Sequence, residues 1–193
     1  MSIPYSRSLQ HGTFQTWSVK PDMEFFHAKQ IHGVDIVSTE TLPCDADGLF
    51  VSWDDFKKPL AIKTADCMPI VIEGHKGVVF LHAGWRGLAD GILKRAEIKM
   101  IEPERAFIGP CIHSCCFEVS KDFKNNFPGS PHFKEHELKF SFDLVAQAKD
   151  DLFKQFPNIK TEDALMCTAC DHKFHSYRRN KTPDRNWNIY IKG

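Results

Sequence analysis

Four blocks of strand length, GLFVS, LAIKT, PIVIEG and GVVFLHAG, follow one another between residues 48 and 84. Each is rich in β-branched or aromatic residues and is bounded by turn-forming ones, so a chain carrying them in series is committed to a mostly β centre from about residue 47. The period then changes. In GWRGLADGILKRAEIKM, residues Trp85, Leu88, Ile92, Ala96 and Met100 recur at helical spacings, with Pro103 just beyond to stop the pattern, which predicts a helix.

Further along, RAFIGP predicts a buried strand, FEVS a short one and KDFKNNF a helix. DLVAQAKDDLFKQF predicts an amphipathic helix with Leu144, Ala148, Leu152 and Phe156 on one face, ended by Pro157. TEDALMCTAC is expected to return to the sheet and WNIYIKG to close it. Strands mixed with three helices predict an α/β or α+β fold. No repeat or low-complexity stretch interrupts the pattern, so residues 1–193 are expected to form one domain. That length, with 16 Phe and 4 Trp, can bury a substantial core.

Charge narrows the function classes. Lys plus Arg and Asp plus Glu each number 25, which argues against a generic binder of nucleic acid or anionic membrane. The C-terminal DHKFHSYRRNKTPDRNWNIYIKG is locally basic and aromatic; it is either a solvated tail or a surface facing phosphate or a nucleobase. No apolar run approaches membrane-spanning length, and the opening MSIPYSRSLQHG lacks the apolar core of an export signal. Seven cysteines, an odd number, then predict reduced thiols and a cytoplasmic address.

Three residues sit where strand ends or tight turns would hold them at a sheet rim: His32 after AKQI, Cys67 in TADCMP and His82 at the end of GVVFLH. Two imidazoles and a thiolate are a suitable ligand set for Zn²⁺, with the fourth tetrahedral position left for water or substrate. Water bound there would ionise near neutral pH. Without a metal, the same Cys67 and His82 would be a thiolate nucleophile and its base, as in an amidase or cysteine hydrolase. A second possibility for metal lies in GPCIHSCCFEV and CTACDHKFH, where Cys167 and Cys170 with two ligands from the first cluster would make a structural zinc site. Cys111, Cys115 and Cys116 are otherwise small apolar residues packing a turn.

Asp66, beside Cys67, is placed to move a substrate proton or to orient a ligand imidazole. Arg86 opens the helix after His82, and a guanidinium beside helix N-terminal amides is a site for phosphate or carboxylate. Gly84 and Gly87 would let backbone approach such an anion closely. Trp85 is expected to dock the helix on the core.

The ordered set KQIHGVDI, ADGLFVS, KTADCMPIVI, LHAGWRGLADGIL, IGPCIHSCCFEV and FHSYRRN, spanning roughly residues 28 to 180, resembles the YfiH-like or laccase-domain family. Its members were once called multicopper polyphenol oxidases and are described as purine nucleoside phosphorylases with adenosine deaminase and methylthioadenosine phosphorylase activity. The resemblance implies layered mixed β-sheets flanked by helices, a zinc on His32, Cys67 and His82, and purine nucleoside and phosphate as substrates. It returns Cys111, Cys115 and Cys116 mainly to the packing role. A multicopper oxidase needs several His-rich sites with close His-x-His pairs, and the sequence has none.

The chain departs from the family at its front. Only 31 residues precede His32, with SRSLQHGTFQTWS where members usually carry a longer Gly-rich region, so a shortened N-terminal region is expected. RRNKTPDRNW is also looser than the usual ending. The leading expectation is a zinc-dependent purine nucleoside phosphorylase with Asp66 and Arg86 as catalytic residues, Arg86 holding the phosphate and His113 and Arg178 as candidates to touch the base. The alternatives are the Cys/His hydrolase and a zinc-stabilised binding protein.

Overall fold

The computed structural model describes residues 3–136 and 139–193. In chain order its strands are β1 (Tyr5–Ser8), β2 (Gly12–Trp17), β3 (Ile36–Ser38), β4 (Gly48–Ser52), β5 (Leu60–Thr64), β6 (Met68–Gly74), β7 (Gly77–Ala83), β8 (Pro103–Ile108), β9 (Glu118–Val119), β10 (Phe133–His136), β11 (Lys139–Phe142), β12 (Lys160–Asp163) and β13 (Asn186–Lys192). The α-helices are α1 (Trp85–Ala89), α2 (Ala96–Met100), α3 (Leu144–Gln155) and α4 (Tyr177–Asn180).

Six strands form the central sheet, in the order β12-β8-β6-β7-β4-β3, and four form a second sheet, β1-β2-β13-β5. A small third sheet runs β10-β11-β9. The central sheet is mixed: β3 with β4 and β12 with β8 are parallel, and its other pairings are antiparallel.

The near-continuous apolar runs of β6 and β7 have a direct cause. Successive side chains point to opposite faces of a sheet, and both faces here are covered. β6 sends Ile70 and Ile72 into one core and Val71 into the other; β7 sends Val79 and Leu81 one way and Val78 and Phe80 the other. Helical residues Leu88, Leu144, Ala148 and Leu152 close the first core. The second sheet closes the other with Phe14, Leu60, Ile62 and Tyr190. The result is the α+β class expected, mixed sheets in layers with helices on one outer face.

The four blocks between residues 48 and 84 become β4 to β7 almost residue for residue. The amphipathic helix forms as α3, with Leu144, Ala148 and Leu152 buried and the Asp143 side chain capping Ala146 N at 3.0 Å. The helix expected over 85–100 does not run through. Gly91 adopts φ 88° and Arg95 is extended, so the segment splits into α1, a 3-10 turn at Ile92–Lys94 and α2. The apolar periodicity survives because each fragment still faces the core, but the register shifts: Ile98 and Ile101 are buried while Met100 is 58% exposed.

KDFKNNF forms a 3-10 helix at Lys121–Asn126, and of TEDALMCTAC only the first three residues, TED, join β12. The strands before residue 40 were not expected. β2 does alternate, with Gly12, Phe14 and Thr16 facing inward, but only Phe14 carries a large apolar side chain, so the alternation is nearly silent in the sequence.

Leu81→Ala should cost about 2–5 kcal/mol through the cavity it leaves between the layers, and Asp143→Ala about 1 kcal/mol through the lost cap. Urea unfolding should show both as lower midpoints at an unchanged slope.

Candidate metal centre

Register builds this site. In the pairing of β4 with β7, Gly48 lies opposite Leu81, and in that of β6 with β7, Pro69 lies opposite His82. Asp47 and Cys67, each one residue ahead of its strand, therefore flank His82 from either side. The ligand atoms of His32, Cys67 and His82 all lie within 4.8 Å of one another, and the two imidazole rings are 4.7 Å apart, edge to face.

Asp47 is the residue that sequence reasoning missed. Fully buried, it accepts from His82 Nδ1 at 2.7 Å and from the backbone N–H of His32 (2.9 Å), Gly33 (2.6 Å) and Ile31 (3.2 Å). Its carbonyl also accepts from His82 N at 2.7 Å. One carboxylate thus fixes the backbone of the loop carrying His32 and the ring of His82. His32 needs that support, because its φ of 64° lies in the left-handed region that non-glycine residues rarely occupy. Since Nδ1 of His82 faces Asp47, Nε2 is the nitrogen free to bind a metal. Only strand register distinguishes Asp47 from a neighbour such as Asp45.

The glycines of HAGWRG serve the protein's own packing. A Cβ on Gly84 would stand 3.1 Å from Cys67 Sγ and 3.5 Å from His32 Cδ2, and one on Gly87 would stand 2.7 Å from the Gly33 carbonyl oxygen. They admit a sulfur and a backbone turn, and Gly84 also lines the cavity beside the three donors.

Charge in the site is polarised. Burial pushes the Cys67 thiol up, but hydrogen bonds from His32 and His82 and their charges outweigh it and bring the group down to about 6. Burial pushes His82 down, but Asp47 and the Cys67 thiolate outweigh that and hold the imidazolium up to about 9. Burial also pushes Asp47 up; its His82 hydrogen bond and backbone donors reverse the effect and leave it below its ordinary value. A metal ion would take over from the proton on His82. Two imidazoles and an ionised thiol, with an orienting carboxylate behind one ring, match a zinc site that keeps a position open.

The triad opens into a cavity of about 570 Å³. Among the described residues its walls carry Lys29, Lys63, Arg86, Arg178, Lys181 and Arg185 against a single carboxylate, Asp66, so the cavity suits an anion although the whole chain is neutral. Arg86 is exposed and lies on the Trp85 ring at 4.3 Å. Because α1 has only five residues, an anion in the cavity would meet this guanidinium and its cationic neighbours and not a helix dipole. Trp85 is half-buried, packing edge-on against Phe123 at 5.2 Å while also lining the cavity, so its docking role is shared with the cavity wall.

Asp66 sits at φ 89°, with Oδ1 accepting from Thr168 Oγ1 at 2.7 Å and Oδ2 from Arg178 N at 2.6 Å. It does not touch a ligand imidazole; that expected role belongs to Asp47. Arg178 lines the cavity as expected, while His113 is absent from the described lining residues. The basic C-terminal segment is thus partly cavity wall and not simply a solvated tail. Cys111 is buried as a packing residue, but Cys115, Cys116, Cys167 and Cys170 converge in a second cluster at the surface. Cys116, half-buried, still packs against the core as well, whereas exposed Cys115 does not have the packing role expected of it.

Residues 10–189 match a family described as multi-copper polyphenol oxidoreductase laccase. A purine nucleoside phosphorylase of Aquifex aeolicus is 32% identical over 158 residues, covering 79% of this chain and 73% of the relative. The purine nucleoside phosphorylase YfiH of Escherichia coli is 30% identical over 172 residues, covering 81% and 69%. Among solved structures, a Neisseria meningitidis protein superposes with a TM-score of 0.77 at 29% identity, covering 87% of this chain and 74% of that one. Bacillus licheniformis YfiH gives 0.73 at 25%, covering 88% and 74%. The fold is thus YfiH-like.

Asp47→Ala should lower zinc affinity about 10–100-fold, read by competition with a chromogenic chelator. In metal-free protein, alkylation of Cys67 should be half-maximal near pH 6 and slow as pH falls through it, not near the ordinary 9. The stabilisation from the thiolate is full above pH 9 and lost as pH falls toward 6; that from the imidazolium is full below 6.5 and lost as pH rises toward 9. These opposed slopes overlap, so the pair should leave metal-free stability nearly flat between about 6.5 and 9.

Proposed function

The chain belongs to the multi-copper polyphenol oxidoreductase laccase family, the YfiH-like proteins, and on that premise we propose that it is a purine nucleoside phosphorylase carrying zinc on His32, Cys67 and His82. The observation that carries the reading is the juxtaposition of this three-donor site with a cation-lined cavity large enough for a nucleoside and phosphate. A zinc ion held there supplies a Lewis acid at the cavity wall.

The chain's own residues do the rest. Arg86, exposed at the cavity rim and stacked on Trp85, binds phosphate, with Lys29, Lys63, Lys181 and Arg185 adding to the attractive field. Trp85, Phe117 and Tyr177 offer apolar and aromatic surface for the purine. Asp66, the one carboxylate on the wall among the described residues, holds the start of α4 through Arg178 N and in this reading exchanges a proton with the base. Adenosine deamination and methylthioadenosine phosphorolysis belong to the same proposal as further activities of this cavity. Seven unpaired cysteines fit a reducing compartment, and we place the protein in the cytoplasm.

A second reading rests on the depressed Cys67 thiol beside His82, which is the pairing a metal-free cysteine hydrolase would use. Metal content separates the two. Zinc that is stoichiometric and lost in Cys67→Ser supports the phosphorylase, whereas active metal-free protein inactivated by alkylation of Cys67 supports the hydrolase.

Purified zinc-loaded protein should release hypoxanthine from inosine only when phosphate is supplied, and adenosine should be converted as well. Arg86→Ala should raise the KM for phosphate by about 10–100-fold, the loss of one charged contact. A zinc-loaded protein that turns over neither inosine nor adenosine would overturn the proposal in favour of a binding protein.

A further inference from the structure

The cluster of Cys115, Cys116, Cys167 and Cys170 lies outside the cavity and plays no part in the proposed chemistry. Its sulfurs are arranged as a set. Cys115 Sγ lies 3.8 Å from Cys116 Sγ and 3.6 Å from Cys170 Sγ, Cys116 Sγ lies 3.3 Å from Cys170 Sγ, and the ligand atoms of all four residues fall within 4.8 Å of one another. Four thiolates around a zinc with Zn–S bonds of about 2.3 Å form a tetrahedron whose edges are about 3.8 Å. The three sulfur separations of 3.3–3.8 Å lie at or just under that edge. A disulfide would draw one pair to about 2.05 Å and leave the other two thiols without a role.

Two loops supply the ligands. Cys115 and Cys116 sit between β8 and β9 in a turn where Cys116 N and Phe117 N both donate to His113 O at 2.9 Å. Cys167 and Cys170 form a C-x-x-C turn in which Cys170 N donates to Cys167 O at 3.2 Å. The His113 N–H points at Cys167 Sγ at 3.5 Å, a donor suited to a thiolate sulfur. The loops touch at an isolated bridge between Cys111 and Cys167; Cys116 and Cys167 pack against the core, while Cys115 and Cys170 are exposed, so a metal at the sulfurs would tie in the loop tips that lie outside the apolar packing.

We infer that Cys115, Cys116, Cys167 and Cys170 bind a structural zinc ion that staples the loop before β9 to the loop after β12. The inference stands apart from the proposed phosphorylase activity, since it rests on the sulfur geometry alone. Zinc binding converts the four thiols to thiolates, with the displaced protons released to solvent. The staple bears on the cavity wall through two arginines. Arg178 Nη1 donates to Cys116 O at 3.0 Å and Glu118 O at 2.9 Å, and Arg179 Nη1 donates to Thr168 O at 2.7 Å. Locking the loops therefore positions Arg178 and, beneath it at 5.2 Å, Phe117.

The test counts metal. Protein purified under reducing conditions, reconstituted with zinc and desalted should hold about two zinc ions per chain by elemental mass spectrometry, falling to about one in Cys67→Ser and in the double variant Cys116→Ser, Cys170→Ser. Metal-free Cys67→Ser protein titrated with Co²⁺ should develop the intense near-ultraviolet thiolate charge-transfer absorption and visible bands of a tetrahedral four-thiolate centre, and its unfolding midpoint should rise on adding zinc. Should the double variant fail to fold, the cobalt spectrum of Cys67→Ser decides alone.

A folded Cys67→Ser protein that retains no zinc and gives no such spectrum overturns the inference, as does an intact mass two hydrogens short after purification without oxidant, which would mark a disulfide. Zinc that survives Cys67→Ser but disappears in the double variant would uphold this site and sink the one at His32, Cys67 and His82.

Discussion

The carboxylate of Asp47, buried at the point where β4 meets β7, is the interaction on which the rest of the centre depends. It spends both oxygens on four donors: one imidazole nitrogen and three consecutive backbone amides. A buried carboxylate is costly unless so satisfied. Here the satisfaction also orders the loop carrying His32, which Gln30 ties in addition to β5 through two hydrogen bonds with the Lys63 backbone. Without Asp47 the left-handed His32 would lose its support and His82 its tautomer, and Cys67 would face two unoriented rings.

Around this fixed point the site is made from sheet geometry, with each ligand supplied by a different strand end or loop. The central strands are buried on both faces and packed between two cores, so their ends cannot move independently. Gly84 completes the closure by leaving room for the Cys67 sulfur. The strands, the loop and the carboxylate around them hold the three donor atoms within 4.8 Å of one another.

The electrostatics are local and opposed to the overall balance. A chain of zero formal charge concentrates six cationic side chains on one cavity, three of them from the segment 178–185. That segment is held against the cavity by Asp66 at the α4 N-terminus, by Asn186 accepting from His175 N at 2.8 Å, and by the two arginines that clasp the cysteine loops. The cavity wall and the cysteine cluster are therefore mechanically joined though chemically separate.

Strand-forming blocks with clear turn boundaries, GLFVS to GVVFLHAG, and the even apolar face of α3 were legible in the sequence because local periodicity encodes them. Of the candidate ligands, His82 was legible at a strand end and Cys67 in a turn, whereas the AKQI segment before His32 forms only an isolated bridge at Lys29 and no strand; the ordered motifs marked all three as candidates. The break at Gly91 was hidden by apolar positions that fit either a continuous helix or its fragments. β2 was hidden because two of its three inward residues are Gly12 and Thr16. What the sequence by itself determined was which segments bury apolar surface and which residue types are present to ligate, for both follow from composition and spacing along the chain. Only the tertiary structure decided that Asp47 stands behind His82, that Arg178 and Lys181 face the same cavity as Arg86, and that four cysteines from two distant loops share one centre. Each of those depends on strand register and loop crossing, which place residues many positions apart at hydrogen-bonding or near-bonding distance and leave no periodic trace in the chain.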